Sequence, residues 1–228
     1  MNINFAALTE KVKPIGIIHV GANTCQELPL YLAHGIENRI WIEPFVDLKF
    51  PNKETIIHVA IGDKNEEIDT IYQASNNNES TSLLKPLKHL EKYNNINFNP
   101  TIFPIKIVTI EELLKNNLGG GKKFNYLVLD IQGMELKALK GLGQYCNHFD
   151  VIITEAYTDE LYENCGKLNE IQELLSNYDM VEFVAESDKG WGDAAFIKKK
   201  YIKKNILDLE EMENQKKNRN SQKIFFIF

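Results

Sequence analysis

IGIIHVGAN, residues 15–23, decides the fold. The β-branched run Ile15 to Val20 is extended in character, Gly21-Ala22-Asn23 breaks it, and Glu27 to Ala33 then carries apolar residues at helical spacing, so the segment predicts strand, tight turn and helix. Outward from it the same unit recurs. Arg39 to Ile42 (RIWI) predicts a second strand, stopped by Glu43-Pro44 because proline donates no hydrogen bond and restricts the residue before it. Thr55 to Ile61 (TIIHVAI) predicts a third, ending at Gly62-Asp63. Tyr126 to Asp130 (YLVLD), with a helix over Met134 to Leu142, and Val151 to Glu155 (VIITE), with Ile171 to Leu175 in the next helix, supply two more. Such strands, apolar on both faces and separated by helices, predict a parallel sheet covered on each side. Met180 to Ala185 with Ala194 to Lys198 is expected to close it as an antiparallel pair.

Between these units, Gln73 to Asn99 turns to Asn, Ser, Lys and Tyr, with helical spacing only around Leu83 to Leu90, and reads as an insertion or lid spanning about residues 73–101. Ile102 to Val108 is extended again, and Thr109 with Glu112 makes a capping box for the following helix. A domain over residues 1–200 is expected, with a charged extension at 201–228 that ends in the apolar IFFIF and hints at a homodimer. The length and the 43% hydrophobic content suit one globular domain. The formal charge of −6 argues against a nucleic-acid partner. Cys25, Cys146 and Cys165 show neither disulfide nor zinc spacing, the apolar run Phe5 to Leu8 is too short for a signal-peptide core, and no segment is long enough to span a bilayer. The expectation is a cytoplasmic protein.

Acidic or polar residues end successive predicted strands: Gly21-Ala22-Asn23, Glu43 and Asp63. Open parallel sheets bind ligands outside those carboxyl ends. Gly21 lets the backbone approach a ligand, the two carboxylate oxygens of Glu43 suit a ribose diol, and Asp63 is placed to reach an adenine amino group or a bound water. A dinucleotide site wants G-x-G-x-x-G around a pyrophosphate. The turn here is GANTCQ, with one glycine, which favours S-adenosylmethionine, a cofactor without phosphate.

HVGAN (19–23), IEP (42–44), VAIGD (59–63), STSLL (80–84), VTIEEL (108–113), LDIQGMELKALKGL (129–142), ITE (153–155) and GDAAF (192–196) together resemble the FkbM family of methyltransferases over roughly residues 15–198. The family's D-x-[EQ]-G-x-E-x-x-x-L-x-G is matched by Asp130, Gln132, Gly133, Glu135, Leu139 and Gly141. The resemblance implies a class I methyltransferase, a Rossmann-like three-layer α/β sandwich with a mostly parallel seven-stranded sheet. It also implies S-adenosylmethionine as donor and O-methylation of a small molecule, a sugar or glycan precursor or a secondary metabolite. Cofactor-binding residues are expected at His19, Gly21, Ala22, Asn23, Glu43, Pro44, Ala60 and Asp63. Two positions depart from the family, His19 for an acid and Cys25 for a further glycine, and they motivate a second reading in which the chain is a cofactor-binding or assembly module without turnover.

Methyl transfer to oxygen is an in-line displacement helped by positioning and by a base. Asp130 and Glu155, at strand ends beyond the switch point, are the candidates, with Glu135 in support. Facing carboxylates could instead hold a divalent cation that acidifies the acceptor; no metal ligand set is assigned. Asn76 to Asn78 suit a substrate lid, and Tyr157 and Trp191 suit stacking on a sugar ring. Gly119 to Lys122 resembles a phosphate loop only superficially, and His58 and His148 receive no role.

Overall fold

The computed structural model describes residues 1–202, with Asp69 defined by its backbone alone. Ile17–Val20 forms β1 and pairs in parallel with β2 (Arg39–Ile42) on one side and β7 (Tyr126–Leu129) on the other. β3 (Ile56–Ile57) adds to β2, and β8 (Val151–Tyr157) adds to β7, again in parallel. β10 (Trp191–Lys198) inserts antiparallel between β8 and β9 (Tyr178–Ala185), which gives the seven-strand order β3-β2-β1-β7-β8-β10-β9. The order reverses between β1 and β7, where a parallel sheet opens a crevice.

Alternation along the strands sorts the side chains into two cores, since successive residues point to opposite faces. Ile18, Val20, Ile42 and Leu127 face one layer, made by α4 (Ile110–Asn116), α5 (Glu135–Lys140) and α6 (Leu168–Leu174). Ile17, Trp41, Tyr126 and Val128 face the other, where α1 (Phe5–Lys11) contributes Phe5 and Leu8 and α2 (Leu28–Ala33) contributes Tyr31. The result is the expected three-layer sandwich with its closing antiparallel pair.

A second sheet departs from the sequence reading. Thr55 to Ile61 is not one strand: β3 stays on the main sheet, while β4 (Ala60–Ile61) leaves it and pairs in parallel with Ile107 and Val108 of β6 (Phe98–Val108). The break falls at His58, whose Nδ1 lies 3.0 Å from the Glu43 carbonyl, and at Val59, whose N–H turns back to the Ile57 carbonyl. β5 (Glu66–Ala74), which the sequence reading leaves out, pairs antiparallel with β6. In its EEIDTIYQA, Ile68 and Ile71 pack against Ile105, Ile107 and Phe45, and Ala74 is buried at its end. Pro100 and Pro104 are tolerated in β6 because both precede the point where β4 joins at Ile107.

The loop expected as an insertion therefore spans 75–97 between two strands and contains the short α3 (Lys88–Lys92). Thr109 caps α4 as read, accepting from Glu112 N–H at 3.1 Å, although the Glu112 carboxylate turns instead to Asn116. α1 escapes a periodicity reading because it is only two turns long, with Asn4 accepting from the Ala7 amide at its start. The apolar end expected to dock or dimerise lies outside the described residues, as does most of the 201–228 extension.

Candidate active site

Two adjoining cavities open at the carboxyl ends of β1, β2, β7 and β8. The first lies between the switch point and the small sheet, with a cavity volume of about 120 Å³. Gly21, Ala22 and Asn23 form its floor, Glu43, Pro44 and Phe45 one wall, and Ala60 with Ile61 another.

Backbone geometry fixes that floor. Gly21 has φ +84°, and a Cβ there would sit 1.7 Å from the Asp130 carbonyl oxygen, so no other residue fits between β1 and β7. The Gly21 and Ala22 amides both donate to the Ile42 carbonyl, at 2.9 and 3.1 Å, tying the turn to the end of β2. Glu43 is only 6% exposed. One of its oxygens accepts from the Asn23 amide at 2.9 Å and the other from the Phe45 amide at 3.2 Å. Burial nevertheless pushes its carboxyl up to about 7, because two amide donors do not replace lost water. Each oxygen keeps a lone pair for a ligand.

The second cavity shares Gln26, Glu27, Glu79, Asp130 and Gln132 with the first and continues to Glu155, Tyr157, Tyr162, Trp191 and Asp193. Gln132, held at φ +51°, joins its parts. Its side-chain amide donates to Asp130 and to Glu155, both at 2.9 Å, while its oxygen lies 2.9 Å from the Tyr162 hydroxyl. Tyr157 donates to the same Glu155 oxygen at 2.8 Å. Burial raises both carboxyls; for Glu155 the neighbouring Asp130 and Glu135 raise it further. Among the described residues, no group of three His, Cys, Asp or Glu side chains has a metal-holding arrangement.

The structure thus brings Gly21, Ala22, Asn23, Glu43, Pro44 and Ala60 to one cleft, and Asp130 and Glu155 to the adjoining one. Three expected site residues stand elsewhere. His19 is 1% exposed beneath the turn, with Nδ1 2.8 Å from the Tyr31 hydroxyl and its ring packed on Trp41; burial lowers it to about 4, so it is a neutral core imidazole. Asp63 is exposed in the turn after β4 and lines neither cavity. Glu135 spends both oxygens on the Ile131 and Gly133 amides, at 2.9 and 3.0 Å, and so shapes the turn that presents Gln132. Cys25 is buried, its thiol pushed up to about 12 mainly by burial, and it too lines neither cavity.

Sequence reasoning passed over Gln132, Tyr162, His89 and Asp193. Gln132 alone left a signal, a polar residue before glycine just past a strand end. The expected lid residues do border the clefts: Asn78 lines the first and Asn76 the second, with the Asn77 carbonyl 3.5 Å from the Asn23 amide group.

Strand order and crevice together define a class I methyltransferase fold. The Methyltransferase FkbM domain matches residues 19–181. The chain belongs to the FkbM methyltransferase family. Similar solved structures include an FkbM methyltransferase from Methylobacillus flagellatus KT, at 17% identity over 79% of this chain and 43% of that one, TM-score 0.47. Another is magnesium protoporphyrin IX methyltransferase from Synechocystis PCC 6803 with bound SAM, at 10% identity over 85% and 75%, TM-score 0.44. The chain spans less than half the length of the first of these. None of the curated proteins matches it significantly.

Proposed function

We propose that the chain is an S-adenosylmethionine-dependent O-methyltransferase acting on a hydroxyl of a small molecule, a sugar or glycan precursor or a secondary metabolite. The observation that carries the reading is the hydrogen bond between the Asn23 amide and Glu43, which joins the glycine turn and the buried acid in one crevice. The residues fit the cofactor. Gly21, with no room for a Cβ against the Asp130 carbonyl, holds the turn that lines the crevice close to β7, Glu43 offers two acceptor oxygens for a ribose diol, and Ile61, Leu48 and Phe45 offer apolar surface for adenine. No lysine or arginine among the described residues lines the crevice, which suits a ligand without phosphate.

The cofactor supplies an electrophilic methyl group on a sulfonium. Asp130 borders both cavities, and it is there that the acceptor hydroxyl meets a base. With the cofactor bound, its sulfonium would give the methyl group to the acceptor oxygen and Asp130 would take the hydroxyl proton, its carboxyl being raised to about 6 mainly by burial. Gln132 keeps Asp130 and Glu155 in fixed register by donating one N–H to each. Glu155, raised by burial and by the neighbouring Asp130 and Glu135, borders the same cavity and accepts from Gln132 and Tyr157. Most of the acceleration then comes from alignment.

Calorimetry with S-adenosylhomocysteine tests the reading. Micromolar binding is expected for the wild type, and loss of most of it for Glu43→Ala; undiminished binding by the variant would defeat the assignment.

A further inference from the structure

The second cavity has a composition unlike that of a general hydroxyl pocket. Glu27, Glu79, Asp130, Glu155 and Asp193 border it, and no lysine or arginine among the described residues does. The lysines of the neighbouring loops are engaged elsewhere: Lys88 and Lys92 bind Asp159 at 2.5 and 3.0 Å, and Lys189 donates to the Lys92 carbonyl at 2.9 Å. Burial raises Asp130, Glu155 and Asp193 alike; the N-terminal ammonium of Met1, which also borders the cavity, offsets the rise at Asp130 and Asp193 only in part, and one Asp193 oxygen accepts from the Asn2 amide at 2.5 Å.

Two further features point to a ligand. Aromatic rings wall the cavity, Tyr157 and Tyr162 at right angles with centroids 6.0 Å apart, and Trp191 fixed by its indole N–H to the Tyr93 hydroxyl at 2.8 Å. Ring faces attract ammonium groups, and Tyr93 already holds one, with Lys189 Nζ 4.5 Å from its centroid. His89, also in the wall, is 4% exposed, and its Nδ1 has no hydrogen-bond partner. Burial lowers it to about 4, so it is a neutral imidazole that adds no positive charge. A buried polar atom without a partner is costly, and a ligand hydroxyl or bound water meets the need.

We propose that this cavity binds an acceptor carrying an ammonium group beside the hydroxyl that is methylated, an amino alcohol of the amino-sugar kind, and that it rejects phosphorylated acceptors. The proposal rests on the methyltransferase reading above. Glu27 and the Asp193 oxygen that Asn2 leaves free face the ammonium; the aromatic wall packs on its carbon skeleton; Asp130 meets the hydroxyl. A phosphate would enter among five carboxyl groups that the N-terminal ammonium offsets only in part, with no lysine or arginine among the described residues of the wall to hold it.

The test is competitive titration of protein saturated with S-adenosylhomocysteine, using glucosamine, glucose and glucose 6-phosphate as probes and calorimetry or saturation-transfer NMR as readout. Glucosamine is expected to bind about tenfold more tightly than glucose, and glucose 6-phosphate more weakly than either. Asp193→Asn is expected to narrow the glucosamine preference while leaving S-adenosylhomocysteine affinity unchanged, which also certifies that the variant is folded. Equal binding of the two neutral-skeleton probes, binding of neither, or tightest binding of the phosphate overturns the proposal while the cofactor reading stands. Failure of S-adenosylhomocysteine to bind at the outset defeats the cofactor reading and this inference with it.

Discussion

The two cavities are built by different means. The first gathers on the ends of β1, β2, β4 and β7, with the buried Glu43 held by two main-chain amides. The second is made of side chains from loops and strand ends far apart in sequence, Asn76 to Ile96, Gln132, Glu155 to Tyr162 and Trp191 to Asp193. Backbone sites follow from the fold, so the first is fixed once β1, β2 and β7 pair. The second depends on which side chains the loops deliver, and that is where one methyltransferase differs from another in what it accepts.

That contrast can be broken by substitution. The largest effect is expected at Gly21. Gly21→Ala forces a Cβ into the Asp130 carbonyl at a left-handed backbone position, and a loss of about 4 kcal/mol or more is expected; thermal denaturation that shows a normal midpoint would mean the turn has another geometry. Next is Glu43→Ala, which removes both oxygens offered to the ribose, with a loss of about 100-fold in S-adenosylhomocysteine affinity and a retained fold by circular dichroism. Third is pH. Ligand hydroxyls favour the ionised Glu43, so binding lowers a pKa that stands at about 7 in the free protein. Affinity is therefore full above pH 7 and weakens as pH falls through it, by about tenfold between pH 8 and pH 6; titrations at the two values check the slope, and stronger binding at pH 6 would reverse its sign. The same burial means the charged carboxylate costs stability above pH 7, so Glu43→Gln is expected to raise the melting temperature at pH 8 by about 2–4 °C. The smallest effect is expected at Asp63→Ala, which stands outside both cavities and should change cofactor affinity by less than about twofold.

What the sequence disclosed follows the same division. The parallel strands were legible because their residues are apolar on both faces, and the first cavity with them, because its floor is a glycine after β1 and its wall an acid before Pro44. Asp63 looked equivalent to Glu43 while Thr55 to Ile61 read as one strand. The chain instead leaves the main sheet at His58, which carries Asp63 away to a turn of the small sheet. β5 was illegible because the register shift between Ile68 and Thr70 puts its inward Ile68 and Ile71 three apart and leaves no alternation to read. His19 attracted attention as a departure from family pattern, yet its position inside an all-buried strand places it under the turn against Tyr31 and Trp41. The second cavity was legible at Asp130 and Glu155, at Asn76 as part of a lid and at Tyr157 and Trp191 as stacking rings, but not at Tyr162, His89 or Asp193. Its aromatic wall and Asp193 come together through the antiparallel pairing of β8 with β10, which sets Asp193 opposite Glu155 and Trp191 opposite Tyr157.

Co-crystallisation with S-adenosylhomocysteine tests the central claim most directly. The account predicts both ribose hydroxyls within hydrogen-bond distance of the Glu43 carboxylate, the nucleoside lying over Gly21, and the sulfur directed toward Asp130 and the acid-and-aromatic cavity beyond. A nucleoside bound elsewhere, or one in this crevice with its ribose turned away from Glu43, would contradict it.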